Sequence, residues 1–465
     1  MVQDITPGEL LRERAPAGVW SRSNRLLTTG LVLTVVGAAF EALAVATILP
    51  ATVRDLGGLS LYGWAFSAFM LTNLVGIAIA GAEADRQGPA RPYVAGIVLF
   101  ALGLLTAGLA PAMPVVILGR AIQGIGAGFI SSVAYVAIGR GYADEARPRM
   151  LAVMSSAWIV PGLIGPALAG VIADTVGWRW VFLGLAPLML IAATLALPAL
   201  RRLSRAPSGP REWRQLASSA QLAAGPGLLL AGVGATSPYA IAPLVALGAL
   251  VGLPALRRLM PEGTLRAAAG LPATIATFGL LNMAFFGVDA FVPLALTAGR
   301  GQTATMAGIA LTAATIAWSS ASWVQAHLAQ RGRRRALVIA GLALLALGVA
   351  GTTAVLVPWV PVWLAPLAWG IAGLGMGLAY STISLLVLET APAGQEGGAT
   401  SAMQLANVLA TAIGTGAGGA IISATSVEGH ASAPGLAAQN ALMIAIVALA
   451  ALAALRVPSR RPGAE

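Results

Sequence analysis

Fourteen apolar segments divide this sequence and constrain its fold more than any other feature. A helix rises about 1.5 Å per residue, so about 20 apolar residues are enough to cross the hydrocarbon core of a bilayer. The segments lack the alternating pattern of barrel strands, so we expect α-helices. They are residues 26–53, 62–82, 92–110, 114–138, 149–173, 179–199, 218–236, 239–256, 268–297, 303–326, 336–357, 360–388, 397–424 and 436–455.

The composition disfavours several other classes of protein. Hydrophobic residues make up 58% of the chain and charged residues 10%, which is too little polar surface for a water-soluble protein. The net charge is +11, but the basic residues are dispersed at the ends of apolar segments, which argues against nucleic-acid binding. There is no Cys and there are two His, so we expect no metal, no cofactor and no enzymatic activity.

The distribution of arginine predicts the orientation in the membrane. All 28 basic residues are Arg, and 24 of them fall in the tails and alternate loops that would share one side. Three fall on the other side, and Arg120 lies inside a segment. Because basic residues accumulate in cytoplasmic loops, both termini are predicted to be cytoplasmic. The use of Arg alone, with abundant Ala and Gly, is typical of GC-rich bacteria, so the predicted location is a bacterial inner membrane.

The seventh and eighth segments decide the number of helices. Removing this pair would leave the charge distribution consistent, so that test does not distinguish twelve helices from fourteen. Residues 218–256 carry no ionisable group except Tyr239, and Ser237-Pro238 supplies a turn, which favours a membrane-spanning hairpin over an interfacial one. The predicted units are a tail (1–25), a six-helix bundle (26–200), a basic linker with the hairpin (201–266), a second six-helix bundle (267–456) and a tail (457–465).

Two acidic residues lie deep in apolar segments at comparable places in the two halves. The first segment contains Phe40-Glu41-Ala-Leu and the ninth contains Val288-Asp289-Ala-Phe. Glu41 is about 22 Å along its helix and Asp289 about 27 Å along its own. Transporters built from two related halves place such groups near the middle of the membrane.

Four motifs, in order along the chain, carry a resemblance to a known family. They read Gly81-Ala-Glu-Ala-Asp85-Arg86-Gln-Gly88, Leu118-Gly-Arg120-Ala-Ile-Gln123-Gly124-Ile-Gly126, Pro161-Gly162-Leu-Ile-Gly165-Pro166-Ala-Leu-Ala-Gly170 and Gly177-Trp178-Arg179-Trp180-Val-Phe182. With them, the chain resembles the major facilitator superfamily along nearly its full length. The third motif resembles the antiporter signature of drug–proton exchangers. The spacing from Phe40-Glu41 to Leu49-Pro50 is similar to that in the 14-helix drug–proton antiporters.

The resemblance implies an all-α polytopic membrane protein with two six-helix bundles and an extra central helix pair. It implies conformational roles for the loop residues Gly81, Asp85, Arg86, Gly88 and Arg91. A carboxylate such as Asp85 at a helix end can cap the helix dipole in one state and release it in another, and a solvated turn is the alternative. The chain departs from the family pattern in several places: Glu stands at position 41 instead of Asp, Glu83 replaces an apolar residue, and Pro89-Ala90 replace a basic pair.

The antiporter-like motif predicts one bare helix face. Gly162, Pro166 and Gly170 recur every four residues, with Gly165 beside them, so a neighbouring helix can approach closely. In the resembling family this face closes the central cavity of antiporters, and simple helix packing is the alternative.

Glu41 is the predicted centre of proton coupling, assisted by Asp289 and Arg120. An ionised carboxylate is costly in a low-dielectric environment, so Glu41 can take up and release protons as access alternates. The alternative is a structural acid that is hydrogen-bonded to a neighbouring helix. Arg120 needs an acid, a carbonyl or water as a partner, and Gln123 lies one turn from it on the same face.

The predicted function is proton-coupled export of amphipathic small molecules such as drugs or antibiotics, energised by the proton gradient. We expect a monomer that contacts substrate, protons and lipid and binds no nucleic acid. The alternatives are export of a lipid or an endogenous metabolite, import of a nutrient, and a membrane enzyme or channel. Predicted substrate-cavity residues are the polar or aromatic side chains within segments: Asn73, Gln123, Trp158, Asn282, Trp318, Gln404 and Asn407.

Overall fold

The computed structural model describes residues 18–22, 24–203, 213–235, 237–328, 333–392 and 395–458, with the backbone alone at 213–216 and 238. Parts of the predicted tails and of the linker therefore lie outside the described residues. Within these ranges the chain forms seventeen α-helices. They are α1 Arg25–Leu56, α2 Tyr62–Gln87, α3 Ala90–Gly108, α4 Met113–Gly141, α5 Arg147–Ser156, α6 Ile159–Thr175, α7 Arg179–Leu183, α8 Leu185–Leu200, α9 Trp213–Val233, α10 Pro238–Leu259, α11 Leu271–Asp289, α12 Val292–Arg300, α13 Ala304–Leu328, α14 Arg334–Ala354, α15 Leu364–Thr390, α16 Glu396–Ala424 and α17 Ala433–Ala454.

These helices confirm the predicted all-α polytopic fold. In the described residues, thirteen helical stretches are long and apolar enough to cross a membrane, and a shorter apolar helix, Ala217–Val233, precedes the seventh of them. Three predicted segments are each divided into two helices: α5 and α6, α7 and α8, and α11 and α12. We call the end of the bundle where α1 begins and α17 ends the terminal face, and the other end the opposite face. Which of the two faces the cytoplasm stays a prediction.

The first half is organised around α4, which packs against both α2 and α3. Glycines of α4 allow these close approaches, since a Cβ at Gly126 would lie 2.5 Å from the backbone of Phe100 in α3. Helix α1 packs against α6 and α8. In the second half, α13 and α14 pack against α15, and α11 packs against α16 and α17.

The two halves meet through two helix pairs, α2 with α16 and α6 with α13. The closest backbone approaches lie toward the opposite face, where Gly63 meets Gly419 and Gly170 meets Ala304. Ser67 adds a hydrogen bond to the carbonyl of Ala412, at 2.8 Å. The halves are therefore packed together at the opposite face.

The central pair, α9 and α10, is an antiparallel hairpin that lies against both halves. Helix α9 contacts α2 and α16. A small apolar cluster joins Leu222 and Ala255 of the pair to Leu74 of α2 and Leu409 of α16. The pair therefore covers the line along which α2 and α16 meet.

Candidate functional site

Glu41 and Arg120 form a buried ion pair between α1 and α4. Glu41 lies near the middle of the 32-residue helix α1, and Arg120 lies in the second turn of α4. Guanidinium NH1 of Arg120 donates to Oε1 of Glu41. The residues are 0% and 2% exposed, so the pair is removed from solvent.

Three further groups fix the Arg120 guanidinium. Its Nε donates to the backbone carbonyl of Ala65 at 2.9 Å, and NH1 also donates to Oε1 of Gln123 at 2.8 Å. The guanidinium carbon lies 4.2 Å from the ring centroid of Phe69, which is a cation–π contact. Helix α2 supplies both the carbonyl and the ring, so Arg120 has partners besides Glu41.

A glycine in α4 makes this arrangement possible. A Cβ at Gly124 would lie 2.3 Å from the carbonyl oxygen of Phe69, so only glycine allows α2 to approach α4 this closely. Thr72 completes the contact by donating to the carbonyl of Ala121 at 2.8 Å. One turn further toward the opposite face, the carbonyl of Ala65 then reaches Arg120.

Two buried polar atoms next to the ion pair lack hydrogen bonds in the described part of the chain. Oε2 of Glu41 and Nε2 of Gln123 are buried and have no hydrogen-bond partner among the described residues. A buried acceptor without a donor is unfavourable by about 1–3 kcal/mol. Oε2 is therefore the oxygen of Glu41 that remains without a hydrogen bond in the described part of the chain.

Asp289 has a different environment, in the second half. It ends α11, and Pro293 follows in the first turn of α12. Its Oδ1 accepts a hydrogen bond from Nε1 of Trp369 at 2.8 Å. In the adjoining turn, Tyr62 of α2 donates to the carbonyl of Ala290 at 2.9 Å, so the first half is in contact with this helix break.

A row of aromatic rings leads from Asp289 into the second half. Trp369 stacks on Phe285 with centroids 5.1 Å apart, and Phe285 meets Trp318 edge-on at 5.5 Å. Trp318 contacts Tyr380 at 5.2 Å, and Tyr380 contacts Phe278 at 4.8 Å. Trp369, Phe285 and Phe278 are buried, so the partly exposed faces of the row belong to Trp318 and Tyr380.

The predicted cavity residues are spread over several environments. Gln123 joins the Arg120 cluster and Trp318 joins the aromatic row. Asn73 donates to the carbonyl of Gly124 at 3.4 Å, and the buried Asn282 donates to that of Phe278 at 2.7 Å. The remaining three differ in exposure: Trp158 is 49% exposed, Gln404 is exposed and Asn407 is partly buried. Their role in substrate binding stays a prediction.

The end of α2 and the start of α3 form a local charge network at the terminal face. Asp85 pairs with Arg140 of α4 at 2.5 Å, and Arg86 pairs with Glu83 at 3.2 Å. Arg91 donates to Gln87 at 2.9 Å. The chain turns between the two helices at Gly88, whose φ of 81° favours glycine, whereas a Cβ at Gly81 would make only ordinary contacts.

The small residues of α6 face two neighbouring helices. A Cβ at Gly162 would lie 2.6 Å from Thr315 of α13, and one at Gly170 would lie 2.5 Å from the carbonyl of Ala304. The carbonyl of Pro166 lies beside Gly308 of α13, whereas Gly165 faces Phe40 of α1. This motif therefore forms the α6–α13 part of the contact between the two halves.

The fourth motif joins the end of α1 to the turn before α7. Arg179 pairs with Asp55 at 2.7 Å, and Nε1 of Trp178 donates to the same carboxylate oxygen at 3.2 Å. These side chains line an open cavity of about 320 Å³ at the opposite face. The cavity's lining residues include neither Glu41 nor Asp289.

Sequence reasoning missed the groups that complete the site. The carbonyl of Ala65 carries no residue-type signal, and Phe69 and Trp369 were not singled out from other aromatic residues. The only available hint for Trp369 was its position in a helix that is otherwise rich in small residues. Among the described residues, no group of three or more potential metal ligands is present.

Comparison with known proteins gives a consistent result. The sequence model of the Major Facilitator Superfamily matches residues 30–415. Multidrug transporter protein MdtP of Bacillus subtilis is 28% identical over 416 residues, covering 86% of this chain and 76% of that protein. A probable multidrug-efflux transporter of Mycobacterium tuberculosis is 25% identical over 410 residues, covering 84% and 86%. The chain spans 59% of the length of a further, uncharacterised MFS-type transporter of that organism.

The fold is also found in solved structures. The crystal structure of a peptide transporter in complex with alafosfalin has a TM-score of 0.67 and 16% sequence identity. The match covers 97% of this chain and 99% of that chain. At this identity, the likeness concerns the fold alone.

Proposed function

Since this chain belongs to the major facilitator superfamily and is a transporter rather than an enzyme, we propose that it exports amphipathic small molecules in exchange for protons. The two halves would alternate access to a central site. The drug-exporting names of its relatives support the substrate class. The proton-coupling step rests on the residues of this chain.

The buried pair of Glu41 and Arg120 is the observation that carries the proposal. An ionised Glu41 is neutralised by Arg120, while its second oxygen stays without a partner among the described residues. Protonation of Oε2 makes the carboxyl neutral and weakens its attraction to the guanidinium. Arg120 stays in place because Ala65 and Gln123 hold it. Proton uptake therefore changes the charge of the site without dismantling it.

The aromatic row supports binding of amphipathic substrates. Trp318 and Tyr380 are the partly exposed rings of the row, and flat aromatic substrates stack on such faces, whereas Phe278, Phe285 and Trp369 are buried. Asp289 lies at one end of the row and receives a hydrogen bond from Trp369. Its carboxylate would contribute polarity at that end of the substrate.

The test is transport into inverted membrane vesicles with an acidic lumen, using ethidium as an aromatic probe and the membrane potential collapsed with valinomycin and potassium. Wild-type protein should accumulate the dye, and nigericin should abolish accumulation. Glu41→Gln should lower accumulation at least tenfold while retaining dye exchange without a pH gradient, because the amide cannot release a proton.

Glu262→Gln is the matched control, since Glu262 is an exposed acid in the connection between α10 and α11 at the terminal face. It should accumulate dye like the wild type. Gradient-driven accumulation that survives Glu41→Gln unchanged would show that this carboxylate does not couple transport to protons.

A further inference from the structure

Asp174, near the end of α6, makes hydrogen bonds across the boundary between the two halves. Its Oδ1 accepts from the backbone N–H of Ala304 at 3.1 Å. Its Oδ2 accepts from the N–H of Thr305 at 2.8 Å and from the Thr305 hydroxyl at 2.7 Å. Asp174 belongs to the first half, and both partners belong to α13 in the second.

These bonds cap a helix that its own half leaves incompletely capped. The first four N–H groups of a helix have no partner within it. In α13, Thr303 accepts from the N–H of Met306 at 3.2 Å, and this is the cap supplied from the same half. Asp174 accepts from the two donors that precede Met306, the N–H groups of Ala304 and Thr305. A carboxylate is also favoured there because the N-terminal end of a helix carries a partial positive charge.

The cap lies beside the closest approach of α6 and α13. A Cβ at Gly170, one turn before Asp174, would lie 2.5 Å from the carbonyl of Ala304. A Cβ at Gly308, one turn after Ala304, would lie 2.2 Å from the carbonyl of Pro166. Because hydrogen bonds weaken steeply beyond about 3.5 Å, a separation of a few ångströms here breaks all three bonds at once.

We propose that Asp174 holds the opposite face closed by capping α13, and that its release accompanies opening of that face during transport. This inference rests on alternating access as proposed above, but it concerns a different site from Glu41. The Asp174 side chain is exposed, so water can replace the lost N–H groups when the cap is released. No basic side chain pairs with it among the described residues, and Arg179 nearby is already paired with Asp55.

The absence of cysteine from the chain allows a direct measurement of opening. Ser67 of α2 is fully buried against α16 at the closed opposite face. Its hydroxyl donates to the carbonyl of Ala412. In a Ser67→Cys variant, the rate of reaction with a membrane-impermeant maleimide reports the fraction of molecules open at this face. The measurement uses purified full-length protein in lipid nanodiscs.

In this background, Asp174→Ala should raise the labelling rate about fivefold to thirtyfold, as expected for loss of a helix cap. Asp174→Asn keeps the shape and one acceptor but loses the charge, so a rise of about twofold to fivefold is expected. Asp144→Ala is the control: Asp144 is an exposed acid that pairs with Arg147 at the terminal face, and its loss should leave the rate unchanged.

A labelling rate that stays at the wild-type value in both Asp174 variants would overturn the proposal, even if their melting temperatures fall. The Asn variant keeps the test usable if the Ala variant does not fold. The labelling readout needs no substrate or pH gradient. A protein that opens on loss of the cap but shows no proton-driven transport would therefore contradict the proposed function and leave this inference standing.

Discussion

Glu41 and Arg120 would each be costly to bury alone, and each removes that cost for the other. Removing one member of a buried ion pair typically destabilises a protein by about 3–5 kcal/mol, since the remaining charge is uncompensated. If Arg120 is the residue removed, the remaining Glu41 can be neutralised by binding a proton. The two residues therefore link stability and protonation at one point of the chain.

We expect Arg120→Gln to lower the free energy of unfolding by up to about 3–5 kcal/mol, and by less where the lone Glu41 takes up a proton. The double variant Glu41→Gln/Arg120→Gln should be more stable than Arg120→Gln alone, since it buries no unpaired charge. Thermal unfolding in detergent micelles, followed by tryptophan fluorescence, measures both differences.

Arg86→Gln provides the comparison for this experiment. Its pair with Glu83 is partly exposed at the terminal face, so the expected loss is about 1 kcal/mol or less. Strictly additive effects of the Glu41 and Arg120 substitutions would contradict the coupling.

The sequence identifies the charged residues of the site but not their partners. Glu41 and Arg120 stand out because ionisable groups inside apolar segments are rare. Asp289 stands out for the same reason, yet its partner Trp369 lies 80 positions away. Pairing of this kind depends on how each helix is rotated about its axis, and segments that are apolar all round give little information about rotation.

At the scale of helices, small residues set the distances between neighbours. The four-residue spacing in α6 predicted a close helix contact, and the structure identifies the neighbour as α13. The spacing alone could not identify α13 as the neighbour, because a helix face of small residues can pack closely against many other helices. The breaks between α5 and α6 and between α11 and α12 were also missed, since their sequences remain apolar across the break.

Gly308→Ala should weaken the contact between the halves. The added methyl would meet the carbonyl of Pro166 at 2.2 Å, and a helix backbone cannot move aside as a side chain can. Overpacking of this kind typically lowers the free energy of unfolding by about 1–3 kcal/mol. The expected readout is a lower melting temperature together with slower transport.

Gly370→Ala in α15 is the matched glycine substitution. Its nearest neighbour, the carbonyl of Ala313, would lie 3.9 Å from the added methyl, so melting temperature and transport should stay close to the wild type. Equal effects of the two substitutions would mean that loss of glycine flexibility, rather than the α6–α13 contact, is responsible.

At the scale of the whole molecule, the distribution of arginine predicts which face is cytoplasmic. Two exposed positions test this prediction: Ser60, in the connection before α2 at the opposite face, and Glu145, in the connection before α5 at the terminal face. In intact cells, Ser60→Cys should react with an impermeant maleimide, and Glu145→Cys should react only after the membrane is permeabilised. The reverse pattern would invert the predicted orientation.

The overall architecture was largely accessible from the sequence because lipid imposes simple rules on length, apolarity and flanking charge. The packing of the central pair was not, since nothing in residues 218–256 indicates which helices they contact. Leu230 of α9 lies against Gly416 of α16, while Gly227 approaches Leu71 of α2.

Helices α9 and α10 form a third unit beside the two halves, so their position affects how the halves can move during transport. Two halves that rotate against each other cannot both keep the same contacts with a third element placed across them. In the proposed alternating-access cycle, α9 and α10 would therefore travel with one half and slide along the other. The contacts that join the pair to α2 and α16 are apolar, as between Leu222 and Leu74 and between Leu230 and Gly416, so sliding along them would meet little resistance.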